Sequence, residues 1–165
     1  MIGPLINPAF APRHLLGVYK RELLDTVPQV AKMVGYTKAM FVHGLDGLDE
    51  ISLMGETEIV ELDNGEFKRY IIKPEDFGME RCTLDEIKTG KPEENAATIT
   101  GIFAGEINDA RKNAVILNAA GAMVVGGKAA DFKEGVELVR QIIDSGAAKK
   151  KLEELVSMSN SYLNA

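Results

Sequence analysis

Two short apolar runs flank a stretch of helical spacing near the start of the chain, and this arrangement restricts the fold more than any other feature. Leu15-Leu16-Gly17-Val18-Tyr19 has the length of a buried strand, as does Thr37-Lys38-Ala39-Met40-Phe41-Val42-His43-Gly44, which ends on glycine. Between them, Val27-Pro28-Gln29-Val30-Ala31-Lys32-Met33-Val34 spaces its apolar residues for a helix, with Pro28 in a first turn and Gly35 as the stop. Strand, helix, strand in that order is a βαβ unit, because a parallel pair needs a crossover long enough to hold a helix. Parallel strands require helices on both faces.

The middle of the chain changes period. Glu58-Ile59-Val60-Glu61-Leu62 and Glu66-Phe67-Lys68-Arg69-Tyr70-Ile71-Ile72 alternate polar and apolar residues around Asp63-Asn64-Gly65, which predicts a hairpin with one wet face at a sheet edge. Helical spacing then takes over. Thr83 with Glu86 three places on has capping-box spacing and opens a short helix ending near Gly90, and Pro92 to Ala104 supplies another. Asp109 to Val125 reads as a long apolar helix, whose Leu117-Asn118-Ala119-Ala120-Gly121-Ala122 segment permits close contact with a sheet or helix. Phe132, Val136, Val139, Ile142 and Ile143 form a core stripe that breaks at Ser145-Gly146, and Ala147 to Tyr162 closes the chain with Leu152, Leu155 and Met158 facing inward. The fold class expected is α/β, a mostly parallel sheet with an antiparallel hairpin, flanked by helices, with residues 1–165 forming a single domain.

Composition narrows the function. The chain has 165 residues, 45% hydrophobic, enough to bury a sizeable core without crosslinks, and its single Cys82 cannot form an intrachain disulfide. A reducing, cytoplasmic setting follows. No stretch approaches the roughly 18 apolar residues needed to cross a bilayer, so no membrane partner is expected. The net charge of −6 repels a phosphate backbone, and the basic run Lys149-Lys150-Lys151 is followed at once by Glu153 and Glu154, a pattern of a solvated helix face. Nucleic acid is therefore not expected either. Residues Met1 to Pro12 hold three prolines among apolar residues, which predicts a fixed loop packed against something.

The segment His43-Gly44-Leu45-Asp46-Gly47-Leu48-Asp49-Glu50 follows a predicted parallel strand, where open α/β sheets bind ligands. Its carboxylates, interrupted by glycine, can hold a hard cation, and Mg²⁺ suits them because it keeps waters and uses one or two protein carboxylates with substrate phosphates. Asp and Gly also build ordinary solvent loops, so spacing alone leaves both readings open. His14 reads as a surface or capping residue, His43 as an orienting residue beside the loop, and Cys82 as a bystander. No catalytic side chain is assigned, and neither a P-loop nor a strand-linked G-x-G-x-x-G is present.

Taken in order, Gly3-Pro4-Leu5-Ile6-Asn7-Pro8-Ala9, Leu16-Gly17-Val18-Tyr19, His43 to Glu50, Pro74-Glu75-Asp76-Phe77-Gly78, Leu117-Asn118-Ala119-Ala120 and Ile143-Asp144-Ser145-Gly146-Ala147-Ala148 cover nearly the whole chain. With these motifs the chain resembles the anthranilate phosphoribosyltransferases, in the nucleoside phosphorylase-like, class III phosphoribosyltransferase group. The resemblance implies transfer of phosphoribose from phosphoribosyl pyrophosphate to anthranilate in tryptophan biosynthesis, with Mg²⁺ as cofactor. It implies metal binding by Asp49 and Glu50 and an acceptor loop at Gly3, Pro4 and Asn7. Family members are longer: their helical domain and the glycine-rich loop that cradles pyrophosphate have no counterpart here. The chain therefore reads as the second half of the phosphoribosyl-binding domain, a truncated or split chain inactive alone. Its expected partner is the N-terminal half of the enzyme or a second copy. Two alternatives stay open: a non-catalytic binding or scaffold module of the same fold, and a phosphoribosyltransferase or nucleoside phosphorylase with a different acceptor.

Overall fold

A computed structural model describes residues 3–88 and 90–163, apart from the side chain of Leu163. Met1 and Ile2 of the N-terminal loop lie outside the described residues, and the Thr83 helix closes at Ile87, short of the expected end near Gly90. A single 3₁₀ turn at Gly3–Ile6 precedes β1 (Arg13–Gly17), α1 (Leu23–Met33) and β2 (Lys38–Gly44), the expected βαβ unit. The hairpin β3 (Thr57–Asp63) and β4 (Glu66–Ile72) follows, and then α2 (Leu84–Ile87), α3 (Pro92–Phe103), α4 (Ala110–Val125), α5 (Phe132–Asp144) and α6 (Ala147–Leu163).

The sheet order is β1-β2-β3-β4, with β1 parallel to β2 and the other two pairings antiparallel. The class is α/β as expected, but the sheet is mixed rather than mostly parallel. The reason lies in the link between β2 and β3, residues 45–56, which contains no helix; without a crossover element the chain returns alongside β2 in the opposite sense. The hairpin turn behaves as its residues dictate: Asn64 and Gly65 take φ of 48° and 91°, the left-handed pair a type I′ turn needs. Its outer strand β4 forms one edge, with Glu66, Lys68 and Arg69 exposed.

Strand β2 is buried on both faces. Ala39 and Phe41 join Val60 and Leu62 against Leu24, Val27 and Ala31 of α1, while Met40 and Val42 join Ile59 against Ile116, Leu117, Ala120 and Val124 of α4 and the α5 stripe. Met40, Phe41, Ile59 and Leu62 are each at most 1% exposed, and burying such a side chain stabilises by about 1.5–3 kcal/mol. Two expectations are corrected here. Pro28 is in the interior of α1 and not in its first turn, because Leu23 and Leu24 start the helix earlier and Leu24 seals the lower core. In α6, Leu152 is half-buried, but Leu155 and Met158 are each 62% exposed, since only the first turns of the helix reach α5 and α3.

Candidate metal and substrate site

The loop leaving β2 is built by its own backbone. Gly44 N–H donates to the Leu48 carbonyl (2.8 Å), Gly47 N–H to the Gly44 carbonyl (2.9 Å), and Leu45 N–H to the Glu56 carbonyl (2.8 Å). Gly47 has φ of 102°, a conformation open to glycine at little cost. Asp46 serves this turn: its Oδ1 accepts from Leu48 N–H (3.1 Å), its Oδ2 accepts from the Ser52 hydroxyl, and Ser52 Oγ accepts from Met54 N–H (2.9 Å). One of the three clustered carboxylates is thus a structural staple.

Asp49 and Glu50 are different. Both are exposed, and neither side chain is hydrogen-bonded or ion-paired to another described residue. The backbone around them is fixed on each side. Leu48 is held by Gly44 and Asp46, and Ile51 is held by Asn118 of α4, whose Oδ1 accepts from Ile51 N–H and whose Nδ2 donates to the Ile51 carbonyl, both at 2.9 Å. A Cβ on Gly17, the last residue of β1, would overlap the Asp49 carbonyl oxygen, so the strand end and the loop touch backbone to backbone. The two carboxylates therefore stand beyond the carboxyl ends of the parallel pair, where the sequence pattern places them. Glu50 also borders a cleft of about 470 Å³, with Asn95, Arg111 and Asn118 on its walls.

The donor set tests the implied metal. Among the described residues, no group of three or more His, Cys, Asp and Glu comes together to hold an ion. Two adjacent oxygen donors with open surroundings do fit Mg²⁺, which completes its octahedron with water and substrate phosphate.

The histidines hold strands and loops together. His43 is 7% exposed and its Nδ1 lies 2.7 Å from the Val18 carbonyl, so it donates to the residue after β1 and does not reach the loop beside it. His14, expected at the surface or in a cap, is half-buried, with Nδ1 3.2 Å from the Tyr36 hydroxyl, which donates to the Pro4 carbonyl at 3.0 Å. Since the phenol proton goes to Pro4, His14 Nδ1 donates to Tyr36. Burial lowers the pKa of His14 below its ordinary value.

This relay fixes where the sequence-predicted acceptor residues lie. Gly3 is exposed, Pro4 is half-buried, and Asn7 Oδ1 accepts from Ala9 N–H (2.9 Å) within its own turn. Tyr36 precedes the start of β2, whereas Asp49 and Glu50 follow its end, and seven residues of strand span roughly 20 Å. The structure does not bring the two groups together. Gly17 and Asn118 adjoin this site although sequence reasoning assigns neither a role; a glycine inside the apolar run Leu15–Tyr19 is the available signal for the first.

Comparison with known proteins adds a family. The chain matches the glycosyl transferase family, a/b domain, over residues 1–149. It is 47% identical over 161 residues to an anthranilate phosphoribosyltransferase of Methanobrevibacter smithii, covering 98% of this chain and 48% of the relative. Among solved structures, that of the same enzyme from Thermus thermophilus superposes with a TM-score of 0.85 at 37% identity, over 94% of this chain and 46% of that one. The Saccharomyces cerevisiae enzyme, solved in complex with phosphoribosyl pyrophosphate and Mg, gives 0.88 at 28% identity, over 97% and 46%. The chain spans about half the length of the curated relatives it matches.

Proposed function

The chain belongs to the glycosyl transferase family through its a/b domain, and from that premise we propose that it contributes the Mg²⁺-binding side of an anthranilate phosphoribosyltransferase site. One observation carries the reading: Asp49 and Glu50 are unpaired among the described residues, yet the backbone on either side of them is clamped. In the reaction, the bond between ribose C1 and a pyrophosphate oxygen breaks with its electron pair leaving on pyrophosphate. The anthranilate nitrogen forms the new bond to C1 and releases a proton. Mg²⁺ bound at Asp49 and Glu50 would offset the charge gathering on pyrophosphate. The protein's own part is to hold two carboxylates where they need no rearrangement on binding.

On the same reading, residues 1–165 form one partial α/β domain that works in a reducing cytoplasm, and the rest of the site comes from the remaining length of the relatives or from a second copy. The sheet suggests where it joins. β1 is paired on one side only, and beyond Arg13 at its start it carries Leu15, Leu16 and Gly17, a less charged edge than the Glu66, Lys68 and Arg69 of β4. No helix among the described residues is long and apolar enough to cross a membrane. Assigning Gly3, Pro4 and Asn7 to the acceptor carries a structural requirement: the Tyr36–Pro4 bond must open in the completed domain, so that the loop reaches the carboxyl ends of the strands.

The test is co-expression with the part of a relative that this chain does not span. The expected result is Mg²⁺-dependent loss of anthranilate fluorescence on adding phosphoribosyl pyrophosphate, abolished by Asp49→Asn/Glu50→Gln. A folded complex without turnover would contradict the reading, and calorimetry with phosphoribosyl pyrophosphate and Mg²⁺ would then show whether only binding survives.

A further inference from the structure

We propose that Asn118 is a positioning residue for the Asp49–Glu50 carboxylates, and this rests on the metal reading above. Ile51 lies in irregular chain yet is 1% exposed, so its backbone N–H and carbonyl need partners that no strand supplies. The Asn118 amide satisfies both at 2.9 Å, and its remaining N–H donates to the Ala114 carbonyl one turn back (3.1 Å). With two carbonyls beside Nδ2 and one N–H beside Oδ1, a single orientation of the amide satisfies every group.

Gly121, one turn further along α4, completes the grip. A Cβ there would come within 2.8 Å of Ile51 Cδ1 and 3.4 Å of Leu15 and Phe132. Helix α4 therefore holds Ile51 by its backbone through Asn118 and receives its side chain at Gly121. Because α4 is anchored in the upper core by Ile116, Leu117, Ala120 and Val124, the position of the residue after Glu50 is referred to the rigid body of the domain. Glu50 and Asn118 border the same cleft, so the clamp sits beside the carboxylate it orients. Sequence spacing marks Asn118 only as one polar residue among small ones on an apolar helix.

The experiment is a Mn²⁺ titration of the ¹⁵N-labelled chain, read as paramagnetic broadening of the amides of residues 48–51. In the wild-type chain these amides broaden first, and Asp49→Asn/Glu50→Gln abolishes the effect. Asn118→Ala raises the Mn²⁺ concentration needed by about tenfold, the lower end of what removing a ligand's supporting hydrogen bonds costs in affinity. Asn118→Ser, which keeps a hydroxyl but cannot reach both Ile51 groups as the amide does, moves it in the same direction. Ile143→Val removes one methyl group from the same core at a residue outside the clamp, so it leaves the titration unchanged. Equal shifts in Asn118→Ala and Ile143→Val, or no shift in either Asn118 variant, would overturn the proposal alone. Absence of selective broadening in the wild-type chain would overturn the metal reading and this proposal together.

Discussion

Gly17 meets the backbone of Asp49 so closely that the Asp49 carbonyl oxygen occupies the place where a side chain on Gly17 would begin. The glycine that ends β1 therefore sets how near the acidic loop comes to the parallel strands. Replacing it with alanine forces the loop outward, because the obstructing atom is backbone and cannot rotate away. Gly17→Ala should destabilise by about 1–3 kcal/mol, the usual range for overpacking, visible as a lower urea midpoint. It should also weaken Mn²⁺ broadening at residues 48–51. An unchanged midpoint would mean that the loop does not rest on this strand end.

Glu58 on β3 is 5% exposed and accepts from Arg21 Nε and Arg69 Nε, both at 2.6 Å. Burial alone would raise its pKa, but hydrogen bonds from Arg69 and Arg21 outweigh it and hold the carboxyl below its ordinary value. A carboxylate with a depressed native pKa contributes stability that is present above its unfolded pKa, near 4.5, and is lost as pH falls through the native value. The acid limb of a stability profile should therefore be shallower in Glu58→Gln. Arg69→Ala leaves the buried charge with Arg21 only; since Arg69 is itself 41% exposed, the loss should be about 1–2 kcal/mol, below that for a fully buried pair. Chemical denaturation at pH 7 checks this figure.

The βαβ unit, the hairpin turn and the helices were legible because each rests on local chemistry: apolar runs at strand or helical spacing, Asn64-Gly65, and the Thr83–Glu86 capping box. Strand direction beyond β2 was not, since residues 45–56 lack helical spacing and the antiparallel return appears only once the hairpin pairs with β2. The exposed end of α6 escaped for a similar reason: Leu155 and Met158 have the spacing of a core face, and no local signal says whether anything covers it. At the site, Asp49 and Glu50 were visible as residue types. Spacing alone did not divide the labour among the three carboxylates; the family resemblance singled out Asp49 and Glu50, and the contacts with Leu48 and Ser52 that engage Asp46 appear only in the fold. Asn118 lies 67 residues from its partner.

Cys82 is half-buried, and burial, followed by the nearby Glu86, pushes its thiol above the ordinary value. The reactive thiolate should be scarce at neutral pH. Iodoacetamide should label native Cys82 more slowly than the urea-unfolded chain at pH 7.5, by about tenfold for each unit of pKa rise. Equal rates would show that neither burial nor Glu86 acts on the sulfur.

The N-terminal loop should respond to pH through His14. Its imidazole donates to Tyr36, which donates to Pro4, so one histidine supports the side-chain hydrogen bond that holds the Pro4 carbonyl. Burial disfavours the imidazolium and lowers the native pKa below 6.5. Between the native value and 6.5 the unfolded chain binds more protons than the folded one, so stability rises with pH across that window. The contribution is complete above pH 6.5 and is lost as pH falls towards the native value. The depressed carboxylates Glu58, Glu75, Glu86 and Asp109 act lower, below about pH 4.5 for the glutamates and 3.8 for the aspartate, and leave this interval to histidine. The wild-type urea midpoint should thus fall between pH 7.5 and 5.5. His14→Asn keeps an N–H able to reach Tyr36 but has no proton to gain, so its midpoint should fall less over the same interval. If both chains lose the same amount, the pH response belongs to another group and the relay only holds the loop mechanically.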